Sequence, residues 1–265
     1  MISPLADIHP EAKIGKNVTI DSFAVIQKGV SIGDDTHIMS HTVIMEGSSV
    51  GKACRIFPGA VIGATPQDLK YEGEQTSVEI GNNTTIRECV TINRATKDKW
   101  KTVVGNNCLL MAYTHIAHDC IIGNHVILAN SVQLAGHVEI GDYAILGGLA
   151  AAIQFIHIGS HAYISGHTGI GKDVPPFIKA GRIPITYVGV NSIGLQRRGF
   201  PIAKINNILD IYRHIYSKGM NISQAIEFIE GTFPQSDEKT EILSFIKRSE
   251  KGIVKFNGKS GSHED

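Results

Sequence analysis

The chain has 265 residues, enough for one large domain or two of ordinary size, and its 42% hydrophobic but 6% aromatic content asks for an aliphatic core. Lys+Arg and Asp+Glu both number 25, so the formal charge is zero and no bulk field gathers nucleic acid or an anionic membrane surface. The four cysteines (Cys54, Cys89, Cys108, Cys120) lack metal-type spacing and read as buried hydrophobes of a reducing compartment. Met1 to Asp7 has neither a basic nor an apolar leader pattern. No stretch approaches the ~20 apolar residues of a membrane span. The expectation is a soluble, cytoplasmic protein with no nucleic-acid partner and no stable membrane insertion.

From Ile8 an aliphatic residue recurs every six positions through Ile62, then at Ile80, Ile86 and Ile92, and again from Val104 through Ile170. Of these 25 positions all but Ala152 are Ile, Leu or Val. A helix repeats at 3.6 and a half-buried strand at 2, so a strict six means a chain that turns a corner every six residues. Glycine follows the aliphatic position at Gly15, Gly33 and Gly51, and at Gly105, Gly123, Gly141 and Gly159, in steps of 18. One such corner per 18 residues gives three faces per coil, and glycine suits a corner because it tolerates angles closed to other residues. The first two-thirds, residues 1–190, is therefore an all-β solenoid of triangular section. Spacing leaves its hand open.

Two insertions break the ladder, 64–79 and 93–103, the second with the only tryptophan, Trp100. Long loops on a rigid scaffold are more often functional than accidental. The glycines of Gly166 to Gly171 stay in solenoid phase with no helix after them, so they read as packing or corner residues rather than a phosphate loop. After Asp173-Val174-Pro175-Pro176 the six-period fades. From Pro201 a helical spacing begins at Ile205, Ile208, Leu209, Tyr212, Ile215 and Tyr216, a second helix starts near Ser223, and a third spans Glu238 to Ile246. These form a small helical domain, 191–250, that covers the solenoid's open end. Residues 251–265 are expected to be a disordered tail.

Twelve histidines are present, and the densest cluster is His115-Ile116-Ala117-His118-Asp119-Cys120. Adding 18 to His118 reaches Gly136, and adding 18 again reaches Gln154, so the three stack on one edge about 5 Å apart. His137 stands beside Gly136. An imidazole next to an exposed glycine N–H suits a general base beside an oxyanion donor. The pair Arg197-Arg198, after Asn191, sits where solenoid meets helices, a place for a phosphate or nucleotide contact.

Six segments then appear together: QDLKYEGE at 67–74, HIAHDC at 115–120, LAGHVEIGD at 134–142, QF at 154–155, DVPPF at 173–177 and GVN…GLQRRGF at 189–200. In this combination and order the chain resembles the acyl-carrier-protein–UDP-N-acetylglucosamine O-acyltransferases that begin lipid A synthesis. The resemblance reaches about residue 250. It implies a left-handed parallel β-helix of hexapeptide repeats with a C-terminal helical domain, a homotrimer, and sites in clefts between subunits. It implies transfer of an (R)-3-hydroxyacyl group from acyl carrier protein to the glucosamine 3-hydroxyl of UDP-N-acetylglucosamine, with no cofactor and no metal. Carried over by motif, His118 is the general base, Asp119 supports it and the Gly136 N–H holds the thioester oxyanion. Asp68 and Lys70 contact donor or sugar nucleotide. His115, His137 and Gln154 line the site, and Asn191, Arg197 and Arg198 hold the uridine diphosphate. Gly166 corresponds to the position that measures acyl length. Lys204, Arg213 and Lys218 are candidates to attract the acidic carrier protein.

The chain departs from that pattern at Ile153, Pro184 and Ile193, where the family often has histidine, histidine and an acidic residue. Individual substrate contacts are affected. The base and its column are not. Two other readings use parts of the same pattern. A trimeric zinc hydratase could draw on His115, His118 and His137, and a purely structural solenoid would use the polar corners for docking. The zinc reading gives neither the long loops nor the arginine pair a task. Nearer alternatives are acetyl-CoA-dependent transferases and the related N-acyltransferase of the same pathway.

Overall fold

The computed structural model describes residues 1–217 and 219–256. Strands of two to four residues recur from Asp7 to Ile170, each pairing in parallel with the strand one coil away. Ile116 lies opposite Leu134 and Leu134 opposite Ala152; Ile122, Ile140 and Ile158 align in the same way. The 18-residue coil holds residue for residue. Face one runs from Asp7–Ile8 to Gly169–Ile170, face two from Lys13–Ile14 to His157–Ile158, and face three starts at Thr19–Ile20. From Ile20 onward every aliphatic ladder position is buried, whereas Ile8 and Ile14 in the open first coil are only half-buried. Each such side chain contributes about 1.5–3 kcal/mol, which makes the ladder the main source of stability.

The glycine column does a different job from the one expected. Gly15, Gly33, Gly51, Gly105, Gly123, Gly141 and Gly159 mark the corner between faces two and three, but none has a left-handed φ. The left-handed residue comes two places later, at Asn17, Asp35, Ala53, Asn107, His125, Tyr143 and His161, with φ between 52° and 61°. Glycine is needed for stacking. A Cβ on Gly105 would stand 2.5 Å from the Gly123 carbonyl oxygen and 2.6 Å from its carbon. Coil-to-coil spacing leaves no room for a side chain there.

The inserted loops are shorter than the polar composition suggested. Ser77–Ile80 pairs in register with Lys101–Val104 on face two, so the loops are 65–76 and 94–100. The misread ends alternate outward Ser77, Glu79, Lys101 and Val103 with buried Val78, Ile80, Thr102 and Val104, which is strand rather than loop patterning. Both loops leave the prism at the corner between faces one and two, on successive coils.

Past the repeat, face three continues as a hairpin, Ile178–Gly181 antiparallel to Thr186–Val190. Four helices follow: α1 Ser192–Arg197, α2 Ile202–Ser217, α3 Ile222–Thr232 and α4 Asp237–Arg248. The sequence spacing did not show α1, which is six residues long and buries only Leu195. Ile205, Ile208, Ile211, Tyr212 and Ile215 of α2 are buried. Asn221 and Ser236 cap α3 and α4 through hydrogen bonds to Gln224 N–H and Lys239 N–H. Residues 251–256, placed in the tail by sequence, instead close the end of the solenoid, where Ile253 bridges Asp173 at the last edge of face two. Val254 is fully buried and Lys255–Phe256 pairs with Thr186 and Tyr187. The rest of that expected tail, 257–265, lies outside the described residues. Among the described residues no helix is long and apolar enough to cross a membrane.

Candidate active site

The corner between faces one and two stacks His118, Gly136 and Gln154 as the 18-residue period requires. His137 N–H donates to the His118 carbonyl at 3.0 Å, and Phe155 N–H to that of Gly136 at 3.2 Å. Gly136 is where the imidazole needs the absence of a side chain: a Cβ there would lie 2.5 Å from His118 Cε1 and 2.6 Å from Nε2. His118 is buried, and its Nδ1 lies 2.8 Å from Asp119 Oδ2. An ionised carboxylate only accepts, so Nδ1 carries a proton, and in the neutral imidazole Nε2 is the nitrogen with the free lone pair. Nε2 points toward loop 65–76, where Asp68 Oδ2 is 3.8 Å away.

Asp119 has no exposed surface. Its oxygens accept from the Thr96 hydroxyl (2.7 Å), Thr96 N–H (3.2 Å) and Lys99 N–H (3.1 Å) besides His118. Burial is the largest single influence on its pKa and pushes it up. The hydrogen bonds from His118, Thr96 and Lys99 together outweigh burial and hold the carboxyl below its ordinary range. A charged, fully bonded carboxylate fixes the imidazole's tautomer and orientation.

His137 stands edge-on to His118, ring centroids 5.1 Å apart, and stacks on Phe155 at 4.5 Å. Burial lowers its pKa despite Asp119 and Asp98 nearby. Asp98 Oδ2 lies 3.1 Å from His137 Nδ1, off the hydrogen-bond line. Asp68, Lys70, Thr96, Asp98, His137 and Phe155 line one groove of about 460 Å³. The amide of Gly136 has no acceptor among the described residues. At the neighbouring corner the equivalent amides are capped from the next coil, for example Asn106 N–H by Asn124 Oδ1 (2.9 Å) and Asn124 N–H by Asp142 Oδ1 (2.7 Å). Gln154, above Gly136, is exposed and offers no such acceptor.

The other site residues expected from sequence lie elsewhere on the chain. His115 is on face one, with Nδ1 2.7 Å from the Thr91 hydroxyl, and burial followed by the neighbouring His118 lowers its pKa. Gly166 sits at the corner between faces three and one, where a Cβ would meet the Gly148 carbonyl oxygen at 2.9 Å. Gly169 and Gly171 meet nothing within 4 Å and are not packing glycines. Asn191 and Arg198 attach to the corner between faces two and three. Asn191 donates to the His161 carbonyl at 3.0 Å, and Arg198 Nη2 donates to that of Tyr143 at 2.9 Å with its guanidinium over the Tyr143 ring. Arg198 Nη1 is buried without a partner. Arg197 closes α1. Of the cations suggested for carrier docking, Lys204 pairs with Glu238 and Arg213 with Asp210, while Lys218 lies outside the described residues.

Thr96, Asp98, Lys99 and Phe155 were not singled out by sequence for this site. Three lie in a loop out of phase with the repeat, so only the loop's existence signalled them. Donor atoms of His118, Asp119 and His137 come within 4.8 Å of one another, the one geometry among the described residues that could offer three ligands to a metal ion. His115, part of the zinc alternative, is not in that group. The Asp119 oxygens are already taken by Thr96, Lys99 and His118, which fits an orienting carboxylate better than a metal ligand.

A family profile described as UDP-N-acetylglucosamine O-acyltransferase, domain 2, matches residues 173–254. The bacterial transferase hexapeptide repeat matches 11–44 and 101–136. The acyl-(acyl-carrier-protein)–UDP-N-acetylglucosamine O-acyltransferase of Chlorobaculum parvum is 57% identical over 246 residues, spanning 92% of this chain and 93% of that protein. The Sulfurihydrogenibium enzyme of the same name is 53% identical over 254 residues, 96% and 94% of the two chains. Among solved structures, a UDP-N-acetylglucosamine acyltransferase from Bacteroides fragilis superposes with a TM-score of 0.95 at 51% identity, covering 96% of this chain and all of that one. The prism is thus a left-handed parallel β-helix with a C-terminal helical region. By identity and by nearly full coverage, the chain belongs to the acyl-(acyl-carrier-protein)–UDP-N-acetylglucosamine O-acyltransferase family.

Proposed function

We propose that this protein transfers an (R)-3-hydroxyacyl group from acyl carrier protein to the 3-hydroxyl of UDP-N-acetylglucosamine, the opening step of lipid A synthesis, with His118 as general base. The observation that carries the reading is His118 itself. Its Nδ1 is committed to a buried, ionised Asp119, and its Nε2 lies beside Gly136, whose amide is unpaired, and 3.8 Å from Asp68, which lines the groove.

In this mechanism Nε2 takes the proton of the sugar 3-hydroxyl as the oxygen attacks the thioester carbonyl. The carbonyl electrons move onto oxygen, and the Gly136 N–H stabilises that oxyanion. When the oxyanion collapses, the C–S bond breaks, and the imidazolium returns its proton to the carrier-protein thiolate. Base catalysis of this kind supplies about 10²–10⁴-fold, and one oxyanion donor about 10²–10³-fold. Asp68 and Lys70 border the groove where either substrate would lie.

The same reading makes the working unit a homotrimer. His118, Gly166 and Asn191 with Arg198 occupy three different corners of one prism, so a cleft holding all of them needs a neighbouring subunit. Leu109, Ile127, Ile145 and Tyr163 align on the outer side of face three as an apolar stripe suited to such packing. Asn191 and the unpartnered Nη1 of Arg198 would receive the uridine diphosphate, and Gly166 would leave room for the acyl chain. The experiment is to offer the purified protein a ladder of hydroxyacyl carrier proteins with UDP-N-acetylglucosamine. An ester at the 3-position supports the reading; no sugar product from any donor refutes it.

A further inference from the structure

Lys99 lies outside the repeat and outside every segment that carries the family resemblance, yet it touches the support of the catalytic pair with both ends. Its backbone N–H donates to Asp119 Oδ1 at 3.1 Å. Its ammonium donates to Glu139 Oε1 on face two. Glu139 is held in turn from the coils above, because its Oε2 is 3.5 Å from His157 Nε2. His157 N–H donates to Asp173 Oδ1 at 2.9 Å, and Asp173 Oδ2 accepts from Ser249 Oγ at 2.6 Å, just past α4. A polar chain therefore climbs face two from the catalytic loop to the segment that closes the solenoid.

The loop needs such a tether. Residues 97–100 have almost nothing to bury: Lys97, Asp98 and Lys99 are charged, and Trp100 is 55% exposed at a left-handed φ of 63°. Its Thr96 end is pinned by the two hydrogen bonds to Asp119, and the Ala95 carbonyl accepts from the Thr76 hydroxyl. Toward the other end, the side-chain anchor is the Lys99–Glu139 pair, with about a third of each side chain exposed. Fully exposed pairs contribute little to stability. This pair acts on the aim of two amides rather than on the fold.

We propose that Lys99 is a positioning residue for acyl transfer: through Glu139 it clamps loop 94–100, so that Lys99 and Thr96 hold the Asp119 carboxylate, and through it the His118 ring, in place. The inference rests on the transfer function proposed above. Releasing the clamp costs the catalytic pair part of its orientation, not substrate binding. Outer-shell partners that orient metal ligands in the same indirect way typically matter by about 10–100-fold.

The test compares wild type, Lys99→Met, Lys99→Arg, Glu139→Gln and the Lys99→Met/Glu139→Gln double variant, with hydroxyacyl carrier protein and UDP-N-acetylglucosamine as substrates. Lys99→Met should lower kcat about ten-fold with both KM values within two-fold and the melting temperature nearly unchanged. Lys99→Arg should recover most of the rate, and the double variant should be no slower than Lys99→Met alone. The clamp is wrong if Lys99→Met keeps kcat within two-fold, if Lys99→Arg is equally slow, or if the two single losses multiply. Should Lys99→Met unfold, Glu139→Gln must show the same kcat loss for the proposal to stand. A wild-type protein that transfers nothing removes the functional reading along with it, whereas transfer unaffected by Lys99→Met removes the clamp alone.

Discussion

Gly136→Ala is a one-methyl change whose cost falls on chemistry rather than on folding. The backbone at Gly136 is not left-handed, so alanine meets no conformational penalty there. Its Cβ would stand 2.5 Å from His118 Cε1, 2.6 Å from Nε2 and 3.1 Å from Nδ1. These three nearest atoms all belong to one side chain rather than to backbone. The imidazole must move by about an ångström, which breaks the 2.8 Å bond to Asp119. A hydrogen bond to a charged group is worth about 1.5–3 kcal/mol, or roughly 10–150-fold in rate if lost from the transition state. Misplacing Nε2 and crowding the oxyanion position adds to this, so the expected fall in kcat is about 10²–10³-fold. The assay is ester formation on the UDP-sugar, with melting followed in parallel. A variant that melts within a few degrees of wild type and turns over within three-fold of it would refute the stacked-column geometry as the source of catalysis.

The same substitution one corner away should do the reverse. In Gly105→Ala the new Cβ meets the Gly123 backbone at 2.5 Å, which cannot move without unstacking a coil; a loss of about 3 kcal/mol is expected by thermal or denaturant unfolding, and a change under 0.5 kcal/mol would contradict the packing argument. His161 supplies a pH dependence. Burial, then the Arg198 guanidinium, holds it down at about 4, against about 6.5 in an unfolded chain. The unfolded state therefore binds the proton first. Stability linked to His161 is complete above about pH 6.5 and is lost as pH falls toward 4, by at most about 3 kcal/mol. His161→Phe, with the ring type found at left-handed Phe155 and Phe177, should flatten the fall in melting temperature between pH 7 and 4; parallel curves for the two proteins would count against the assignment.

How much of this was legible in the sequence depends on periodicity. Ladder positions such as Ile116, Leu134 and Ala152 obey one rule over the whole solenoid, and the same rule lifts Gly136 over His118 without any tertiary information. What the period does not reach was misread. The glycines looked like turn residues because glycine usually supplies a left-handed φ, whereas here Asn, Asp, His and Tyr take that angle and glycine serves coil-to-coil contact. Thr96 and Lys99 hold Asp119 from a loop with no phase. Six-residue α1 and the edge strand Lys255–Phe256 are too short to show a pattern of their own. The scatter of Gly166, Asn191 and Arg198 over other corners is a property of the folded prism that a linear motif conceals.

The claim on which the mechanism depends is that one imidazole nitrogen takes the sugar's proton. It is tested most directly by measuring acyl transfer in His118→Ala alongside the size of the assembly. The expected result is an intact oligomer, with the same mass as wild type, whose turnover has fallen by on the order of 10³-fold or more. Wild-type turnover in that variant would contradict the account.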